Sequence, residues 1–261
     1  MTHQRSDNVL IERTDGIVTV TINRPEKKNA ITVPMFAELT SVFNQIAHSS
    51  TDRVVILTGA GGNFCSGADL WAEKTERLHI LARMRQLGEA AIALQRMPQP
   101  VIAKINGVCV GAGMSLALGC DLMLAAQSSR FSMIFAKRAL SLDMGASWLL
   151  PRQIGMHRAK ELALFGDIIS ATDAHEMGLL NRVVADDRLD STVDEWARRL
   201  LSGPPVAMAQ SKFLLNDSLT MSLTQAIDNE GAAQSVNSST ADSAEALAAF
   251  TERRSASYHG F

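Results

Sequence analysis

Asn63-Phe64-Cys65-Ser66-Gly67-Ala68-Asp69-Leu70, followed further along by Ile105-Asn106-Gly107-Val108-Cys109-Val110-Gly111-Ala112-Gly113, is the pair of segments on which the reading turns. Each is a glycine-bearing turn at the end of an apolar, strand-like run. Two such turns brought together can aim two backbone N–H groups at one carbonyl oxygen and stabilise the negative charge that develops there. Taken singly, each glycine only permits a tight turn. The pair reads as a split oxyanion hole.

Working outward, Asn8 to Arg13 and Ile17 to Asn23 are rich in β-branched residues, and Asp15-Gly16 between them favours a hairpin turn. From Pro34 onward Phe36, Leu39, Phe43 and Ile46 recur at helical spacing, with Pro34 suited to a first turn. Arg53 to Thr58, Val101 to Ile105 and Leu122 to Ala125 are short apolar strands alternating with helical stretches. That alternation implies parallel strands with crossover helices. After about Gly166 the strand signals fade, and Asp187 to Leu201, Pro205 to Asn216, Leu219 to Ala233 and Ser243 to Tyr258 read as helices, the first two separated by Pro204-Pro205.

The 261 residues suffice for one substantial core, and a hydrophobic content of 46% fits a globular protein. With 25 basic and 27 acidic residues the net charge is −2, which offers no basic excess for a nucleic-acid backbone. The polar start, Met1 to Asn8, lacks the apolar block of a signal peptide, and the apolar run near Leu116 to Ala126 is interrupted by Asp121. A cytoplasmic protein with no membrane segment is expected. Cys65, Cys109 and Cys120 have neither the pairing nor the spacing of a disulfide framework or zinc site and read as small core residues. No metal is expected.

Gly59-Ala60-Gly61-Gly62 and Gly111-Ala112-Gly113 invite comparison with phosphate loops, but Phe64 and Leu116 stand where a dinucleotide fingerprint needs its third glycine, and no G-x-x-x-x-G-K-[ST] occurs. Ser115 lies beside the second turn, yet none of the six histidines pairs with it recognisably and no G-x-S-x-G elbow surrounds it, so a small packing residue is the better reading than a nucleophile. Trp71 to Gln95, with Leu78, Ile80, Leu81, Met84, Leu87 and Ile92, is an amphipathic helix in which His79 is exposed.

Together with Ile22-Asn23-Arg24-Pro25-Glu26, Asn29-Ala30 and Leu57-Thr58-Gly59-Ala60-Gly61, the two turns resemble the crotonase family, which contains enoyl-CoA hydratases and isomerases; the resemblance runs from about Val9 to the C-terminus. It implies an α/β fold, a crotonase-type spiral of ββα units over residues 1–200 carrying the acyl-CoA site, with a C-terminal helical region, 201–261, that assembles homotrimers or hexamers. It implies that the N–H groups of Ala68 and Ala112 are the oxyanion donors, Ala112 replacing a more usual glycine, and that Gly111 and Gly113 let the backbone approach a ligand. Arg24, Lys27, Ala68, Asp69 and Leu70 are placed near the pantetheine and nucleotide, Phe250 and Arg253 near a neighbouring subunit's ligand, and Trp71 to Gln95 along a mobile wall of the acyl pocket. Coenzyme A is then part of the substrate, and no separate cofactor is needed.

A hydratase of this family carries two glutamates that hold one water. Here the matching positions are Ser115 and Phe135, and neither can act as a general base. The acid that remains is Asp143, in Leu142-Asp143-Met144-Gly145-Ala146-Ser147-Trp148-Leu149-Leu150-Pro151-Arg152, which resembles the loop where family isomerases, including a ring-epoxide isomerase, place an aspartate against the acyl chain. Leu140, Leu142, Met144 and Trp148 would supply an apolar setting that raises its pKa. Residue chemistry alone also allows Asp143 to be an N-cap or turn residue ahead of the Ser147 to Gly155 segment. The resemblance implies an enoyl-CoA isomerase with Asp143 as its one acid/base; a hydratase using the same aspartate, covalent attack by Asp143, and a non-catalytic acyl-CoA binder are the alternatives.

Overall fold

A computed structural model describes residues 7–70 and 79–260. Its first strands, β1 (Val9–Thr14) and β2 (Ile17–Ile22), form an antiparallel hairpin closed by Asp15 and Gly16, both at positive φ as a two-residue primed turn requires. Helix α1 (Val33–Ala47) follows, with Pro34 in its first turn. Then come β3 (Val54–Gly59), α2 (Ile80–Arg96), β4 (Val101–Ile105), β5 (Val108–Val110) and α3 (Ala112–Leu118). Strands β6 (Leu122–Ala126) and β7 (Arg130–Ser132) lead to α4 (Ala146–Ile154) and α5 (Met156–Phe165).

Six strands form one sheet in the order β1-β2-β3-β4-β6-β9, where β9 is Arg182–Val184, parallel throughout except for the opening hairpin. A second, three-stranded sheet has the order β5-β7-β8, with β8 at Ile169–Ser170. Twice, therefore, the chain runs a strand in the large sheet, a short strand in the small one and then helix, which is the ββα repeat. The expected loss of strands after Gly166 does not hold. Both β8 and β9 lie beyond it, and they were hidden because two or three paired residues are too few to show a period.

The central strands are buried on both faces, as parallel strands covered by crossover helices must be. Val55, Leu57, Val101 and Ala103 share a core with Phe36, Leu39, Phe43 and Ile46 of α1 and Leu87 and Leu94 of α2. Their sequence neighbours Val54, Ile56 and Ile102 point the other way, against Leu189, Val193 and Ala197 of α7 (Leu189–Leu201). All three cysteines are free and buried.

Between β8 and β9 lies the short helix α6 (Ala171–Glu176). The C-terminal helices are α8 (Pro205–Ser218), α9 (Leu223–Ser238) and α10 (Ala241–Glu252), so the last two start and stop elsewhere than the Leu219–Ala233 and Ser243–Tyr258 spans read from the sequence. Ser222 and Gln225 form a capping box and Thr240 caps α10, and these local bonds set the true starts. Helix α8 is tied to the body by Lys212, whose ammonium lies 2.8 Å from Asp121 and donates to the Gln99 carbonyl. Leu215, Leu219, Leu223, Ile227, Leu247 and Phe250 are exposed apolar residues along this region.

Candidate active site

The first bend begins where β3 ends. The buried Asn29 amide donates to the carbonyls of Ala60 and Asn63, while its oxygen accepts the Arg24 N–H, pinning the turn that reverses the chain. The chain then runs beside the second segment: Phe64 N–H donates to Asn106 O, Cys65 N–H to Val108 O, and Val110 N–H to Cys65 O. Gly67 O accepts from Ile31 N–H and Asp69 N–H donates to Ile31 O, a parallel bridge. Because amides alternate in direction along extended chain, the Ala68 N–H points away from Ile31, and no described residue accepts it.

Gly111, at φ 56° and ψ −126°, a conformation open to glycine alone, ends the second segment and caps α3. Ala112 is the first helical residue, so its N–H is one of the orphan donors of a helix start, and again no described residue accepts it. The two bends touch. A Cβ on Gly67 would stand 3.6 Å from the Ala112 nitrogen, and one on Gly113 would overlap Cys65.

Asp143 reaches this place from a distant loop. Positive φ at Met144 and Gly145 turns the chain sharply into α4, whose N-cap is Gly145 without a side-chain cap, so the aspartate is no N-cap but does open the turn, its carbonyl accepting the Ala146 N–H. Its carboxylate is half-buried, with Oδ1 3.5 Å from the Ser115 hydroxyl, which lies 3.3 Å from Gly111 O. Burial raises the Asp143 pKa to about 6, the Ser115 hydroxyl pulling weakly the other way. Among the described residues no cation pairs with it. A carboxylate of that pKa can accept and return a proton near neutral pH.

Ser115 is therefore more than the packing residue read from the sequence: it is fully buried, but its hydroxyl joins the second bend to the acid. One sign was available, since a serine four residues beyond a helix cap can reach back to the cap carbonyl. Nothing local could reveal Asp143 as the other partner.

Arg24 donates to Ala30 O at 2.6 Å and pairs with Asp69 at 3.1 Å, so its guanidinium braces the first bend. Lys27 is exposed, and its carbonyl accepts the Ser66 hydroxyl. Leu70 is exposed and Phe135 buried. Trp148 departs from the expected apolar setting of Asp143: it stacks on Arg152, 3.9 Å from the ring centre, and lines a cleft of about 610 Å³ with Asp121 and Lys212 at the far end of α3. Leu140 is exposed, leaving Met144 and Leu142 as the buried and half-buried neighbours in sequence. Phe250 and Arg253 are exposed on and just after α10 and take no part in the hydrogen bonds of the two bends. The expected wall of the acyl pocket lies partly outside the described residues; from His79, which caps α2 and is exposed, it is helical. Among the described residues no group of three or more His, Cys, Asp or Glu could hold a metal, and no helix is long and apolar enough to cross a membrane.

Comparison with known proteins shows the family and the fold. Residues 12–260 match the family model described as enoyl-CoA hydratase/isomerase. The chain is 37% identical over 250 residues to 1,2-epoxyphenylacetyl-CoA isomerase of Escherichia coli K12, covering 94% of this chain and 95% of that one. It is 33% identical over 250 residues to short-chain-enoyl-CoA hydratase of Clostridium acetobutylicum, covering 95% and 96%. The crystal structure of enoyl-CoA hydratase from Bacillus anthracis superposes with a TM-score of 0.93 at 33% identity, covering 98% of this chain and all of that one. The chain belongs to the enoyl-CoA hydratase/isomerase family and has the crotonase fold that its two glycine turns resemble.

Proposed function

We propose that the chain is an acyl-CoA isomerase that moves a double bond through an enolate. The thioester oxygen sits between the Ala68 and Ala112 N–H groups, which lower the cost of placing negative charge on it. Asp143 removes a proton from the carbon next to the thioester; the electron pair spreads through the dienolate to the oxygen, and the same carboxyl returns the proton two carbons further on. One acid that gives back what it takes is sufficient for this reaction, whereas addition of water also needs a group to hold and orient the water. The observation that carries the reading is a single carboxylate, half-buried, at 3.5 Å from Ser115 on the helix that begins with Ala112. Arg24, Lys27, Asp69, Leu70, Gly111, Gly113, Phe135, Trp148, Phe250 and Arg253 belong to the same reading as candidates for the coenzyme A and acyl contacts. Arg24 and Asp69 act there through the bend they brace.

No metal or redox cofactor enters the proposed chemistry, the thioester, rather than nucleic acid or membrane, is the partner, and the setting is cytoplasmic; the net charge of −2 argues against a nucleic-acid backbone. The exposed apolar residues of α8 to α10 support assembly through that region. A mass in solution of three or six chains is expected by light scattering, and a monomer would remove that part of the proposal.

The test offers the purified protein 3-enoyl and 2-enoyl thioesters and follows the ultraviolet absorbance of conjugation. Conversion of the 3-enoyl substrate is expected. Water addition to the 2-enoyl substrate instead would make it a hydratase using Asp143, and tight binding without turnover would make it a binder. A second isomerase reading, ring-epoxide opening, is favoured by the 37% identity to the Escherichia coli enzyme, and the epoxide thioester belongs in the same panel.

In that assay kcat/KM should rise with pH through about 6 and level off above, because the base must be ionised. Ser115→Ala removes the hydroxyl that favours the ionised form, so its acid limb should move to higher pH. An unchanged limb would separate Ser115 from the titrating group.

A further inference from the structure

The site has two donors on two separate bends, and nothing in either bend alone fixes the gap between them. One side chain touches both. Cys65 is completely buried. Its Sγ accepts the Gly67 N–H at 3.3 Å, and its thiol proton points at the Gly67 carbonyl, 3.8 Å away. On the other side it packs against the first turn of α3: a Cβ on Gly113 would fall 2.6 Å from Cys65 O, 2.7 Å from its Cβ and 2.8 Å from its Sγ. Its backbone is also the point at which the segments pair, bridging to Cys109.

We infer that Cys65 is a positioning residue of the oxyanion hole, its sulfur setting both the direction of the first donor and its distance from the second. The sulfur holds the peptide joining Ser66 to Gly67, and so fixes the backbone at Gly67, whose φ of 103° is open to glycine. The next peptide carries the Ala68 N–H. Contact with Gly113 holds the helix start, and with it the Ala112 N–H, at a fixed separation. Burial pushes the thiol up to about 12, so it stays neutral and works as an acceptor and a spacer rather than a nucleophile.

This inference rests on the two-donor reading above, and one measurement separates the two. A saturated acyl-CoA labelled with ¹³C at the thioester carbonyl cannot isomerise, and its infrared carbonyl stretch reports the hydrogen bonds it receives. In the unaltered protein binding should lower that frequency. Cys65→Ala should return it most of the way to the value in water and lower kcat by between about tenfold and a hundredfold, the effect expected of a small misplacement, with the dissociation constant of the saturated thioester within about twofold of the unaltered protein's because pantetheine contacts persist. Cys65→Ser keeps an acceptor and should hold kcat within about threefold of the unaltered protein. Should the alanine variant fail to fold, Cys65→Val restores volume without the acceptor and replaces it in the comparison. No frequency change in the unaltered protein would refute the two-donor reading itself. A normal change there, kept in Cys65→Ala with kcat unaltered, would overturn the role of Cys65 alone, as would a serine variant as damaged as the alanine one.

Discussion

Asp143→Asn should lower kcat for the 3-enoyl substrate by about a thousandfold, within the range general acid–base groups contribute, while leaving coenzyme A binding intact. The same substitution should stabilise the protein, and the pH at which it does so is a second signature. The carboxyl has a pKa of about 6 in the folded chain against 3.8 when free of its surroundings. Below pH 4 it is protonated in both states and contributes nothing. Between 4 and 6 the folded state binds a proton that the unfolded state does not, so stability falls as pH rises; above 6 the cost of the buried charge is fully present. The shift corresponds to about 3 kcal/mol, and partial exposure reduces this to about 1–2 kcal/mol. Asparagine keeps the shape without the charge. Its melting temperature should exceed the parent's by about 2–6 °C at pH 8 and match it at pH 4. Full activity in Asp143→Asn would remove the aspartate from the mechanism, and a stability difference independent of pH would remove the account of its pKa.

Ala112→Pro is expected to cost about a hundredfold to a thousandfold in kcat, the loss measured when one oxyanion donor is deleted. Ala112 occupies the first position of α3, where proline is well tolerated because the missing N–H has no helical acceptor and the fixed φ suits the helix. The substitution therefore deletes one hydrogen and puts ring carbon where the substrate oxygen would sit. Far-ultraviolet circular dichroism should be unchanged while activity is lost. Retained activity would mean that this N–H faces no reacting atom. Because the donor is the main chain, Ala112→Gly should be nearly silent, and that contrast separates a backbone role from a side-chain one.

Much of this was readable in the chain. The hairpin declared itself through Asp15-Gly16, α1 through the spacing of Phe36, Leu39, Phe43 and Ile46, and the two bends through their glycines, because each is a local device. What escaped was mostly set by long-range pairing, since β8 and β9 owe their existence to partners far away in the sequence; the start of α9 is the exception, a local Ser222–Gln225 capping box that the helical reading passed over. The site divides the same way. Asp143 could be nominated only because its loop resembles that of family isomerases, and its approach to Ser115, like the stacking of Trp148 on Arg152, joins residues whose contact the fold decides.

The bends also interlock at a second point, where a Cβ on Gly107 would stand 2.3 Å from Gly62 O and 2.8 Å from the Asn63 side chain. Each loop is thus the mould in which the other is cast. Grafting one of them alone from a relative would carry over a surface shaped for an absent counterpart, whereas a chimera that exchanges both together keeps the fit, and lineages that reshape this catalytic centre must revise the two loops in concert.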